Sequence, residues 1–112
     1  MLTEKSFDTG ESTINYAEGI ARGSPLVLLH GATSWWRDVQ PLIDKLNPSY
    51  HVYACDHRGH GNSGHAGVGH YRIADYARDT TAFLKACVSN SAIVIGHSLG
   101  ALVALHVASQ LP

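Results

Sequence analysis

The stretch Ala92-Ile93-Val94-Ile95-Gly96-His97-Ser98-Leu99-Gly100-Ala101-Leu102-Val103-Ala104-Leu105-His106 decides how the rest of the chain is read. Ala92 to Ile95 is a short, largely β-branched run, Gly96 to Gly100 has the pattern G-x-S-x-G, and an apolar helical pattern follows without a break. The order is strand, sharp turn, helix, with Ser98 at the apex, and that context gives a short motif its meaning. Gly96 and Gly100 lack Cβ atoms, so strand and helix can close tightly around the serine. Its hydroxyl is pushed out above the strand end, over a helix N-terminus whose N–H groups can stabilise a developing oxyanion. The plainer reading is a buried Gly/Ser turn without chemistry.

Length and composition bound the alternatives. The chain has 112 residues, 45% of them hydrophobic, and a formal net charge of −1. That length fits a single domain over residues 1–112. The charge gives no reason to expect nucleic acid or an anionic membrane as partner. No stretch approaches the ~20 apolar residues of a membrane span. Met1 to Ser6 lacks the charged and apolar regions of a signal peptide, so a cytoplasmic, disulfide-free protein is expected. Cys55 and Cys87 show no metal or redox spacing and read as buried thiols.

Working outward from the elbow, the chain repeats one theme. Residues 4 to 20 alternate loosely and suggest two short strands around a turn at Asp8-Thr9-Gly10-Glu11. Leu26-Val27-Leu28-Leu29-His30 is a continuous apolar run, as expected for a strand covered on both faces. From Trp35 to Leu46 apolar residues recur at helical spacing, with Pro41 best placed in the first turn. His51 to Asp56 is another strand, followed by a Gly- and His-rich loop to about His70. Ile73, Tyr76, Ala77, Thr80, Phe83, Leu84 and Cys87 then form one helical face, with Arg72, Asp75, Arg78, Asp79 and Lys85 off it. Two hairpin-like strands and three β-then-α units predict an α/β fold, a mostly parallel sheet with helices on both faces.

Three motifs now stand in order: His30-Gly31-Ala32-Thr33, Asp56-His57-Arg58-Gly59-His60-Gly61-Asn62-Ser63-Gly64, and Gly96-His97-Ser98-Leu99-Gly100-Ala101. With them, nearly the whole chain resembles the N-terminal half of an α/β-hydrolase. The resemblance implies the first five of that fold's eight strands, the first pair antiparallel to the rest, and three helices. It implies a serine hydrolase acting on a carboxylic ester or lactone through an acyl-enzyme on Ser98. Dehalogenases and epoxide hydrolases of this fold carry aspartate at the elbow, so serine disfavours those reactions. The oxyanion donors, carried over by position, are the N–H groups of Leu99 and Ala32, with Gly31 permitting close backbone approach.

The remaining motif residues read as structural. Gly59, Gly61 and Gly64 let the second loop turn, and Asp56, Arg58 and Ser63 hold it by hydrogen bonds and an ion pair. A metal site from His57, His60, His65 and His70 is the sharper alternative. It is weakened because no cysteine or carboxylate cluster joins them and no helical i, i+4 pair appears. No metal and no cofactor are implied. Aromatic Trp35 and Trp36 read as core for at least one of them, and neither is assigned to the site. His30 is a strand-end residue whose ring packs and hydrogen-bonds locally, His97 points away from its neighbour, and His106 faces the wrong environment to serve as base.

In the family the acid follows the sixth or seventh strand and the catalytic histidine the eighth. Neither matches a residue of this chain, which stops at Gln110-Leu111-Pro112 and reads as cut at an element boundary. The expectation is therefore a nucleophile and oxyanion hole without their base. The alternatives are a non-catalytic binding or assembly domain, or an acyltransferase, perhydrolase or carbon–carbon bond hydrolase on the same scaffold. Oligomeric state is left open.

Overall fold

In the computed structural model the run Pro25–Leu29 forms the strand β3, and its side chains alternate between two cores. Leu26 and Leu28 join Ala17, Trp36, Ile43, Val52 and Ala54 on one face. Val27 and Leu29 join Ile14, Tyr16, Tyr53, Phe83, Val103 and Val107 on the other. A strand buried on both sides has no position for a polar residue, which is why this one reads as an unbroken apolar run. The structure describes residues 2–88 and 91–111. Met1 and Pro112, which enter the readings of the two ends, lie outside them.

The other strands are β1 (Thr3–Asp8), β2 (Thr13–Glu18), β4 (His51–Cys55) and β5 (Ile93–Gly96). They lie in the order β1-β2-β4-β3-β5. β3 pairs in parallel with both β4 and β5. The expected direction of the first pair needs correction. β1 is antiparallel to β2, and β2 is antiparallel to β4, so β2 alone opposes the others. A tight hairpin reverses the chain once, and β1 thereby returns to the direction of the parallel strands.

Three helices complete the layers: α1 (Gln40–Leu46), α2 (Ile73–Cys87) and α3 (Leu99–Gln110). The α1 side of the sheet holds the first core, and α2 with α3 covers the second. The segment expected as helix from Trp35 begins instead as a 3₁₀ turn, Trp36–Val39, and becomes α-helical at Gln40. Pro41 lies in the first α turn, where its missing N–H costs nothing. Phe83 anchors α2, fully buried with its ring edge-on to Tyr16 at 4.8 Å and Tyr53 at 5.8 Å between centroids. Such pairs add roughly 0.5–1.5 kcal/mol each beyond their buried area.

The apolar face of α2 is wider than the periodicity indicates. Asp75 and Asp79, expected off the face, are both buried. Asp75 accepts the Arg72 backbone N–H at 2.9 Å and an Arg78 guanidinium N–H at 2.8 Å, while Asp79 faces Arg58. A buried carboxylate is tolerated when its oxygens are matched by donors. Cys55 is buried and Cys87 half-buried, and both are free thiols. Burial pushes the Cys55 thiol up. No helix among the described residues is long and apolar enough to cross a membrane.

Candidate active site

Parallel pairing brings the three motifs together. Leu29 is in register with Cys55 on one side and Gly96 on the other. His30, Asp56 and His97 therefore leave the carboxyl ends of three adjacent strands at the same level, where open α/β sheets place their sites. His97 N–H donates to the Leu29 carbonyl at 3.1 Å and ties the elbow to β3.

Ser98 sits at φ 54°, ψ −114° and is exposed. Such a backbone costs a non-glycine residue on the order of 1–3 kcal/mol and persists only where its surroundings impose it. Here two glycines impose it. A Cβ on Gly96 would overlap the Gly100 carbonyl, and one on Gly100 would overlap the Leu29 carbonyl. The first N–H groups of α3 divide between turn and site. Gly100 N–H donates to His97 O at 2.9 Å, and Ala101 and Leu102 donate to Ser98 O at 2.9 and 3.2 Å. Leu99 N–H, the first of the helix, has no acceptor among the described residues.

The loop after β3 lies against this elbow. A Cβ on Gly31 would stand 3.1 Å from His97 Nδ1 and 3.4 Å from the Ser98 Cβ, so only a bare backbone approaches so closely without displacing its neighbours. Ala32 is exposed, and its N–H also has no acceptor among the described residues. Thr33 takes φ 61°, and its hydroxyl donates to Ala32 O at 2.6 Å.

Beneath the loop, the histidines of the first two motifs are packed together. His30 is buried, its Nδ1 2.6 Å from Gly31 O and its Nε2 3.0 Å from the His57 backbone N–H. His57 Nε2 lies 2.9 Å from His30 O, and His60 Nδ1 lies 2.9 Å from Arg58 O. Burial pushes the His57 imidazole down to about 3, with the neighbouring His30 adding to the effect. His30 is lowered for the same first reason. His97 is exposed, and no imidazole hydrogen-bonds the Ser98 hydroxyl among the described residues.

The second loop is fixed from below. Fully buried Asp56 accepts N–H groups from Trp36 at 2.7 Å, Asn62 at 3.0 Å and the Asn15 side chain at 3.0 Å. Ser63 donates to Asp56 O at 2.7 Å and accepts the Asn15 N–H at 2.8 Å. Gly59 and Gly61 have φ 73° and 51°, and a Cβ on Gly61 would collide with the Asp56 carboxylate. Trp36 is core, with its indole N–H on Glu4 at 3.1 Å, and Trp35 is half-buried. Two residues of this scaffold escape the sequence reading. Asn15 is a polar position inside a strand, and Asp79 a charge inside a helix; each is marked only as a polar residue between buried neighbours.

An apolar groove of about 860 Å³ lies on the flank of β5 and α3, lined by Leu84, Val88, Val94, Ala104, Leu105 and Leu111 among others. Neither Ser98 nor Ala32 borders it.

Comparison with known proteins places this geometry among relatives. Residues 24–112 match the model of the alpha/beta hydrolase fold family. The chain is 37% identical to a 2-(acetamidomethylene)succinate hydrolase of Mesorhizobium japonicum, over 94% of this chain and 37% of the relative. The crystal structure of an E-2-(acetamidomethylene)succinate hydrolase superposes with a TM-score of 0.90 at 32% identity, over all of this chain and 41% of that one. A haloalkane dehalogenase of Bradyrhizobium diazoefficiens is 33% identical over 90% of this chain and 33% of the relative. A pimeloyl-acyl-carrier-protein methyl ester esterase of Xylella fastidiosa is 33% identical over 87% of this chain and 36% of the relative. The chain thus spans between a third and two-fifths of the length of these relatives.

Proposed function

The chain belongs to the α/β-hydrolase fold family, and from that premise we propose that it carries the nucleophile and oxyanion hole of a serine hydrolase acting on a carboxylic ester or lactone. The observation that carries the reading is the Ser98 backbone, φ 54° and ψ −114°, held between Gly96 and Gly100 with the Gly31 backbone against it. Ser98 Oγ would attack the substrate carbonyl carbon while its proton passes to a base. The carbonyl π pair moves onto oxygen, and the N–H groups of Ala32 and Leu99, both without acceptors among the described residues, would receive the resulting charge. Collapse of that intermediate expels the alcohol and leaves an acyl-serine, which water then hydrolyses.

Serine at the apex favours this over the reaction of the dehalogenase relative, because family members that displace halide or open epoxides use a carboxylate there. Ester hydrolysis is in keeping with the methyl ester esterase among the relatives. Asp56 is committed to three donors inside the scaffold, so the reading assigns no acid or base among the described residues.

Steady-state hydrolysis of a short-chain aryl ester tests the division of labour. Loss of the base from such a triad removes several orders of magnitude of rate, so the 112-residue chain should turn over no faster than its Ser98→Ala variant. Robust turnover abolished by Ser98→Ala would show that the base lies within these residues.

A further inference from the structure

We infer that His30, fixed in one tautomer by the backbone of His57, sets the direction of the Ala32 N–H, making His30 and His57 positioning residues for the oxyanion hole. The inference rests on the reading of Ala32 as an oxyanion donor. Its geometry does not depend on that role.

The Gly31–Ala32 peptide is one planar unit in which the carbonyl and the N–H point in opposite directions. Whatever holds the Gly31 oxygen therefore aims the Ala32 N–H. Among the described residues two donors reach that oxygen: the His30 ring at 2.6 Å through Nδ1, and the Ser34 N–H at 3.3 Å. The shorter bond comes from a residue whose ring is buried, while Ser34 is half-buried in the turn. His30 has a single way to make it. Its Nε2 faces the His57 N–H at 3.0 Å and must accept, so the ring proton sits on Nδ1 and is donated to Gly31. His57 closes the loop by placing its Nε2 2.9 Å from the His30 carbonyl, which requires a proton on that nitrogen.

The ring's surroundings keep it neutral. His57 and His60 lie 4.4 and 5.3 Å from it between centroids, and Tyr76 closes over those two rings at 5.3 and 6.2 Å. The acidic groups bearing on it are Asp56, which is held by three N–H donors, and Asp38 from the 3₁₀ turn. A second proton on His30 would place Nε2–H against the His57 N–H, donor to donor. The histidine after β3 is thus a hydrogen-bond relay that converts the position of the second motif into the orientation of a peptide in the first.

Two substitutions separate this role from packing. Asparagine places an amide N–H near the Nδ1 position, and glutamine near the Nε2 position. The 112-residue chain and its His30→Asn and His30→Gln variants, labelled with nitrogen-15 at histidine and alanine, supply the readouts. The wild-type long-range imidazole spectrum should show His30 at pH 8 with its proton on Nδ1 and none on Nε2, and a second proton should be gained only below the ordinary imidazole range. The Ala32 amide resonance should stay near its wild-type position in His30→Asn and move away from it in His30→Gln. An Nε2–H tautomer for His30 would overturn the inference, as would an Ala32 resonance that moves equally, or not at all, in the two variants. If His30→Gln does not fold, the wild-type tautomer and its pH behaviour decide alone. None of these readouts uses turnover, so failure here is distinguishable from failure of Ser98 as nucleophile.

Discussion

The Arg58 guanidinium is held edge-on by Asp79, with Nε and Nη2 each 2.7 Å from a different carboxylate oxygen. The Arg58 side chain is 1% exposed and that of Asp79 7%. The guanidinium also donates to His70 O at 3.1 Å, so one ion pair ties both ends of the second motif's loop to α2. Asp79→Asn removes the charge opposite a buried cation and should destabilise the chain by roughly 3 kcal/mol or more. Glu11, 3.6 Å from Arg58 but half-exposed, compensates only in part. Urea titration checks this, and an unchanged midpoint would contradict it.

The elbow glycines should tolerate nothing larger. Gly100→Ala drives a methyl into the Leu29 carbonyl, and Gly96→Ala drives one into the Gly100 carbonyl. Backbone cannot rotate away as a side chain can, so each should cost at least the roughly 1–3 kcal/mol of overpacking. Gly10→Ala is the control: its φ is 92°, but nothing lies within 4 Å of the added methyl. It should cost only the backbone penalty, on the order of 1–2 kcal/mol. Equal losses at positions 10 and 100 in denaturant titrations would argue against the tight crossing.

Stability should fall as pH drops through the histidine range, before the carboxylates titrate. His57 and His30 have folded pKa values below their ordinary one of 6.5, so the unfolded chain binds protons that the native state refuses. Their contribution is complete above pH 6.5 and is lost progressively as pH falls below it, for His57 toward about 3. Glu4 and Glu18 are lowered from 4.5 in the folded state, by hydrogen bonds from Asn15, Asn62 and Trp36 to the first and from Lys5 and His51 to the second; their burial opposes the shift. Their contribution is present above pH 4.5 and lost only below it. The slope of urea midpoint against pH between 6.5 and 4.5 therefore belongs to the two histidines. It should become shallower in His57→Gln, where only the His30 contribution remains, and a slope unchanged from wild type would contradict the assignment.

The fold was legible where local pattern and burial agree. Leu26 to Leu29 reads as a strand covered on both faces because it is one, and Ser98 reads as the apex of a turn because two glycines flank it. Directions and partners set at long range were not legible. Nothing in Thr13 to Glu18 states that β2 alone opposes the sheet. A periodicity that counts every charge as solvent-facing places Asp75 and Asp79 outside, because Arg58, the partner that makes burial of Asp79 tolerable, lies 21 residues away. Asn15 was missed for the same reason: its two carboxylate partners, Glu4 and Asp56, come from separate elements. In the site, the order of the motifs shows which residues meet at the strand ends, but not the hydrogen bonds that orient them.

Among the described residues β5 pairs with β3 alone, while Ile93 and Ile95 on the strand and Leu102 and Leu105 on α3 are exposed. An apolar strand edge beside an apolar helix face is a template for association. The chain should self-associate at micromolar concentration in sedimentation velocity, and a double Ile93→Lys, Ile95→Lys variant should shift it toward monomer without loss of cooperative unfolding. A wild-type monomer across that range would contradict this reading.

The central claim is that Ser98 is the nucleophile. The most direct measurement is covalent labelling by a fluorophosphonate probe, mapped by mass spectrometry, on residues 1–112 grafted in place of the matching segment of the M. japonicum 2-(acetamidomethylene)succinate hydrolase. The graft is first shown to unfold cooperatively. The expected result is a single adduct on Ser98 that disappears in Ser98→Ala. A folded graft that stays unlabelled, or one whose labelling survives Ser98→Ala, would contradict the claim.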